Sequence, residues 1–120
     1  MIVFDASALV GAALKVDSVP ERALLRAEEV DLFALSAAVD TSAIPLERRN
    51  GIMAILRGTA VWFEPSVPVT DCRDPKDNKY LELALSAGAE TIVSSDEDLL
   101  VLHPWRGVRI LRPADYIAQI

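Results

Sequence analysis

The sequence predicts an α/β fold, with a central, mostly parallel sheet covered by helices on both faces. Three observations carry this. Short apolar runs of strand length alternate with stretches of helical spacing along the whole chain. Strands that alternate with helices pair in parallel and bury both faces of their sheet. The size also fits: 120 residues, of which 52% are apolar and 25% charged, read as one domain over 1–120 with one core.

The elements follow in order. "MIVF" reads as a buried strand ending at Asp5. "SALVGAALK" has helical spacing, with Leu9, Ala12 and Ala13 on one face. In "DSVPERALLRAEEV", Ser18 reads as N-cap and Glu21 as its capping-box partner. "DLFALS" is a second strand, "PLERRNGIMAILRG" a helix that Gly58 closes, and "AVWFE" a third strand. Asp74-Pro75 opens the clearest helix, "DPKDNKYLELALSAG", with Leu81, Ala84 and Leu85 at core spacing and Gly88 as its stop. "TIVSS" is a fourth strand, "DEDLLVL" a short helix, "VRIL" a last strand and "PADYIAQI" a closing helix. The right-handed crossover rule then places the helices. One stretch breaks the rhythm. A helical start at Ser36 stops after Asp40, and "TSAIPLERR" reads as loop, so residues are expected to be missing or deleted between Asp40 and Thr41.

Several function classes drop out on bulk properties. No apolar run reaches the ~18–20 residues of a membrane span, and the N-terminus lacks a signal-peptide layout. The single cysteine, Cys72, cannot form an intramolecular disulfide and reads as a loop thiol, which points to a cytoplasmic protein with no membrane partner. A net charge of −6 is the wrong sign for gripping nucleic acid by bulk attraction, although it leaves room for local groups of basic residues.

The acids carry the chemistry. Functional groups in an open parallel sheet collect at the carboxyl ends of the strands. Asp5 follows strand one, Asp96 follows strand four, and Asp77 lies in the first turn of the helix leading into strand four. Each has a capping alternative: Asp5 for its own helix, Asp74 paired with Asp77, and Ser95 paired with Asp98. With Asp74 and Ser95 as caps, Asp77 and Asp96 exceed what capping requires, while Glu97 reads as a solvated surface acid. Clustered oxygen ligands without His or Cys suit Mg²⁺ or Mn²⁺ rather than zinc.

The stretches "VFDASALV", "DPKDNKYLELALSAGAETIVSSDEDLL" and "VRILRPADYI" resemble the PIN domain family. They are most similar to its toxin components of toxin–antitoxin pairs, related to VapC toxins. The resemblance implies a three-layer α/β/α sandwich and Mg²⁺- or Mn²⁺-dependent endoribonuclease activity. Position by position, it implies metal-site acids at Asp5, Asp77 and Asp96, a further acid at Asp98, and small polar supports at Ser7 and Ser94. It also implies a Glu on a helix after the second strand. That helix and its Glu are absent from this chain: Asp40 falls too early, and Glu47 fits a surface helix.

The expected reaction is hydrolysis of RNA phosphodiesters, with divalent ions at Asp5, Asp77 and Asp96 acidifying water and neutralising charge on phosphorus. Three carboxylates around one pocket should then show raised pKa values in the metal-free protein. Arg48, Arg49 and Arg57, or Arg106, Arg109 and Arg112, offer two basic groups for phosphates, each equally readable as solvated surface charge. Expected partners are an RNA substrate, an antitoxin protein and a second copy in a homodimer or higher homo-oligomer. Leu24, Leu25 and Ile52 are available for such contacts or for the core. Trp62 and Trp105 read as packing residues and His103 as a loop residue. Two alternatives stand: a catalytically silent PIN-like binding module, and a receiver-type phosphoacceptor domain. The latter fits poorly, because Lys15, Lys76 and Lys79 are all misplaced for it.

Overall fold

The computed structural model describes residues 1–15, 17–30, 33–35, 44 and 46–119, with the backbone alone for 30, 33, 35, 52, 53 and 55–59. Five strands form one sheet: β1 (Ile2–Phe4), β2 (Phe33–Leu35), β3 (Ala60–Trp62), β4 (Thr91–Val93) and β5 (Arg109–Leu111). Their order is β3-β2-β1-β4-β5, and every neighbouring pair is parallel. The helices are α1 (Ala6–Leu14), α2 (Val19–Val30), α3 (Leu46–Thr59), α4 (Asn78–Ala87), α5 (Glu97–Leu100) and α6 (Pro113–Ala118). The expected α/β sheet is therefore present, and its strand order turns back on itself between β1 and β4. In open parallel sheets, that switch point is where ligand sites form.

The pleat sorts the central residues into two layers. Ile2 and Phe4 pack with Leu9, Leu24 and Tyr116 from α1, α2 and α6, whereas Val3 packs with Leu81 and Ala84 of α4 on the other face. β4 divides in the same way, Val93 to the first layer and Ile92 to the second. Leu81 is fully buried, so Leu81→Ala would cost roughly 2–5 kcal/mol. α1 and α2 approach closely at Gly11, where an added Cβ would meet the Pro20 ring at 3.1 Å. Gly88 ends α4 in the left-handed region at φ 65°, its N–H shared between the Ala84 and Leu85 carbonyls.

Several local expectations change. Ser18 Oγ accepts from the Glu21 amide as an N-cap should, but Glu21 Oε1 accepts from the Asp17 amide, because the Ser18 amide is taken by the Lys15 carbonyl. α3 runs through Gly58 to Thr59. The helix expected from Asp74 is two pieces, a 3-10 turn over Pro75–Asp77 and then α4. Asp74 Oδ1 accepts from the Lys76 amide and its carbonyl from the Asp77 amide, which tightens that turn. Asn78 Oδ1 accepts from the Cys72 amide at 2.9 Å and pins the preceding loop to α4. Trp105 is buried as expected, but Trp62 stands 61% exposed because β3 is an edge strand. Leu24 is core, Leu25 is largely exposed, and the Ile52 side chain lies outside the described residues. The break expected between Asp40 and Thr41, with the helix start at Ser36, also falls outside the described residues. No helix among the described residues is long and apolar enough to cross a membrane.

Candidate metal centre

β1 and β4 run in register, Phe4 beside Val93, so the residues that leave them emerge side by side. These are Asp5 and Ser94. Asp5 is 2% exposed, and three donors surround it. Its Oδ1 accepts from Ser7 Oγ at 2.7 Å and from the Ala8 amide at 2.9 Å, and its Oδ2 accepts from Ser94 Oγ at 2.5 Å. Asp5 is thus the N-cap of α1 as well as the floor of the site. Both hydroxyls also accept from the chain beyond β4: Ser94 Oγ from the Asp96 amide, and Ser7 Oγ from the Ser95 amide. Two serines therefore tie the ends of β1 and β4 to one carboxylate. Burial pushes the Asp5 carboxyl up, the bonds from Ser94, Ala8 and Ser7 hold it down, and the Asp96 charge adds to the rise.

Asp96 leaves β4 two residues later and caps α5, its Oδ1 accepting from the Asp98 amide at 2.9 Å. This corrects the expectation that Ser95 caps α5 with Asp98 as partner. Ser94 and Ser7 hold the 95–96 amides in place, which presents the Asp96 side chain, rather than Ser95, to the helix start. Asp77, at the junction of the 3-10 turn and α4, makes no side-chain cap bond. Its Oδ2 is buried without a donor, and the nearby Asp96 carboxylate can only accept, so Asp77 is left short while ionised and bonds to Asp96 when protonated. Burial, then Asp96, Asp74 and Asp5, push the Asp77 carboxyl up to about 7. Both rises come first from burial, and the neighbouring acids add to them.

Asp5, Ser7, Asp77 and Asp96 line one open cleft of about 270 Å³, with Ser94 bonded beneath Asp5. Asp98 does not line it. Its Oδ1 pairs with Arg73 at 3.0 Å, and its carboxylate gathers with those of Asp74 and Asp77, ligand atoms all within 4.8 Å of one another. Asp74 is the acid that sequence reasoning undervalued: it is a cap, but it also forms a wall of the cleft and part of that triad. Its signal was its spacing, one helical turn before Asp77, as Tyr80 is one turn after. Cys72 lies in a loop as expected but is buried there, and burial followed by the charges of Asp77, Asp98 and Asp96 pushes its thiol up. Glu97 is exposed as expected and pairs with Arg112. Glu47 is exposed in the first turn of α3, a surface-helix residue as expected, and His103 accepts from the Ile110 amide through Nδ1 in a loop.

Among the described residues, Asp74, Asp77 and Asp98 bring ligand atoms close enough together to hold a hard divalent cation, while Asp5 and Asp96 share the cleft with Asp77 outside that triad. The available donors are carboxylate and hydroxyl oxygens, and a buried carboxylate oxygen lacks a proton donor where a positive charge would relieve it. A parallel α/β sheet with such acids at its switch point could hold a metal ion through carboxylates. A sequence profile described as the PIN domain matches residues 1–98, a span that includes every acid of the site. The chain belongs to the PIN domain family. PIN domains are generally metal-dependent nucleases that act on RNA, so membership sets the receiver alternative aside. No curated protein and no solved structure matches the chain.

Proposed function

We propose that the protein is a Mg²⁺- or Mn²⁺-dependent endoribonuclease and that Asp5, Asp77 and Asp96 hold the cation, with Asp98 as an outer acid. The observation that carries this reading is the unpartnered Asp77 Oδ2, which faces Asp96 above a fully bonded Asp5. A bound divalent ion would supply Lewis acidity, acidifying water and offsetting charge that develops on phosphorus. The chain's own residues do the positioning. Ser94 and Ser7 orient Asp5 and fix the turn that carries Asp96. Asp74 keeps the 3-10 turn tight, so that Asp77 points into the cleft.

The biological role that suits this activity is the toxin of a type II toxin–antitoxin pair, a cytoplasmic single-domain protein neutralised by an antitoxin and acting as a homodimer or higher homo-oligomer. Support comes from the toxin-like motifs of the sequence and from the PIN family match. Cleavage of a single-stranded RNA is measured with Mg²⁺, with Mn²⁺ and with chelator, for wild type, Asp5→Asn, Asp77→Asn and Asp96→Asn. Metal-dependent cleavage by wild type, lost in the three variants, is the expected result. Equal cleavage by all four defeats the proposal.

A further inference from the structure

The cleft has two cations on its rim that the acids do not use. Lys76, on the 3-10 turn, is exposed, and Lys79, one helical turn further, is half-buried; both line the same cleft as Asp5, Asp77 and Asp96. Neither makes an ion pair among the described residues. Four arginines differ. Arg73 pairs with Asp98, Arg106 with Asp71, Arg112 with Glu97 and Arg48 with Glu21.

Lys79 is nevertheless held in place. Its Nζ sits 5.4 Å from the centre of the Tyr80 ring, and the buried Tyr80 hydroxyl accepts from the Ala6 amide, next to Asp5. One tyrosine therefore sets the ammonium relative to the floor of the cleft. An acidic chain of net charge −6 repels a polyanion overall, so a phosphodiester that reaches these carboxylates needs local positive charge at the entrance.

We propose that Lys79, assisted by Lys76, is the substrate-contacting residue that receives an RNA backbone phosphate at the mouth of the acidic cleft. The role assigned to the lysines rests on the reading of this cleft as a nuclease site. Phosphate contacts position a strand without reading its sequence, so their loss weakens binding to all sequences alike.

The test uses a short fluorescein-labelled single-stranded RNA in Ca²⁺, followed by anisotropy across a salt series. The proteins are wild type, Lys76→Ala, Lys79→Ala, the double variant, Lys79→Arg and Lys15→Ala. Lys15 is exposed at the far end of α1, away from the carboxyl ends of the strands, and serves as control. Each single alanine variant of the cleft should weaken RNA binding roughly fivefold to tenfold at low salt and flatten the slope of log affinity against log salt by about 0.7 per lost contact. Lys79→Arg should keep most of the affinity, and Lys15→Ala should leave it unchanged. RNA affinity that is equal in all variants overturns the proposal, as does an absence of RNA binding by wild type. A change in Mn²⁺ affinity with RNA affinity intact also overturns it, since the lysines would then serve the acids. Cleavage in Mn²⁺ is scored separately. Lysine-dependent binding without cleavage refutes the nuclease reading and leaves the lysine assignment standing. Cleavage with a KM indifferent to Lys76 and Lys79 refutes the lysine assignment alone.

Discussion

The floor and the wall of the cleft are built from the same residue type and stand in opposite conditions. On the floor, Asp5 is buried and its oxygens take three donors from Ser7, Ala8 and Ser94. On the wall, Asp77 has a buried oxygen with no donor, and its carboxyl is pushed up to about 7 among Asp96, Asp74 and Asp5. A buried polar group that the protein satisfies itself contributes to folding, whereas one left unsatisfied costs stability until something arrives to meet it. The floor is therefore scaffold and ligand at once, and the wall is set up for a cation.

The largest effect should come from breaking the wall. Asp77→Asn and Asp96→Asn are expected to lower metal-dependent RNA cleavage by roughly 100-fold or more. Because an amide at position 77 can donate to Asp96, metal-free Asp77→Asn should melt higher than metal-free wild type at about pH 8, as read by differential scanning fluorimetry. Breaking the floor should instead damage the fold. Asp5→Ala removes the N-cap of α1 and the acceptor for two serine hydroxyls, with an expected loss of roughly 2–4 kcal/mol in urea unfolding. Loss of activity with stability intact in that variant would collapse the distinction between floor and wall.

A smaller effect is expected from pH. The folded-state value of Asp77 lies near 7, above its ordinary 3.8, so the native state holds this proton more tightly than the unfolded chain does. The stabilisation is fully present below about pH 4 and is lost as pH rises through about 7. Metal-free Tm should accordingly fall between about pH 5 and pH 8, Asp5 acting in the same direction, and the fall should be shallower in Asp77→Asn. A saturating divalent ion should flatten the slope in wild type. The smallest effect belongs to the periphery: Arg73→Ala breaks an exposed pair with Asp98 and should change stability by less than about 1 kcal/mol.

Much of this arrangement was legible in the sequence, and the reasons differ by residue. Strand ends can be read locally, so Asp5 after "MIVF" and Asp96 after "TIVSS" were placed at the carboxyl edge of a parallel sheet before any pairing was known. The PIN-like motifs, carried by the same two strand ends and by the "DPKDN" turn, led to the family that the profile match assigns. Capping is harder to read, because several acids and serines compete within two residues. Ser95 lost the α5 cap to Asp96 because the Asp96 and Ser95 amides donate to the Ser94 and Ser7 hydroxyls, and Ser7 lies 88 positions away from the amide it holds. The approach of Asp74 and Asp77 to Asp98 likewise depends on how the loop carrying Cys72 is pinned by Asn78. The exposure of Trp62 follows from β3 being an edge strand, which strand order decides and local pattern does not.

The central claim is that Asp77 is left short of a donor so that a divalent cation can take its place. Calorimetric titration of Mn²⁺ into the metal-free protein near pH 7, repeated in buffers of different ionisation enthalpy, tests it directly. Wild type should bind the ion with release of a sizeable fraction of a proton, because Asp77 is partly protonated near its value of about 7. Asp77→Asn should bind much more weakly and release little. Equal affinity and equal proton release in the two proteins would contradict the account.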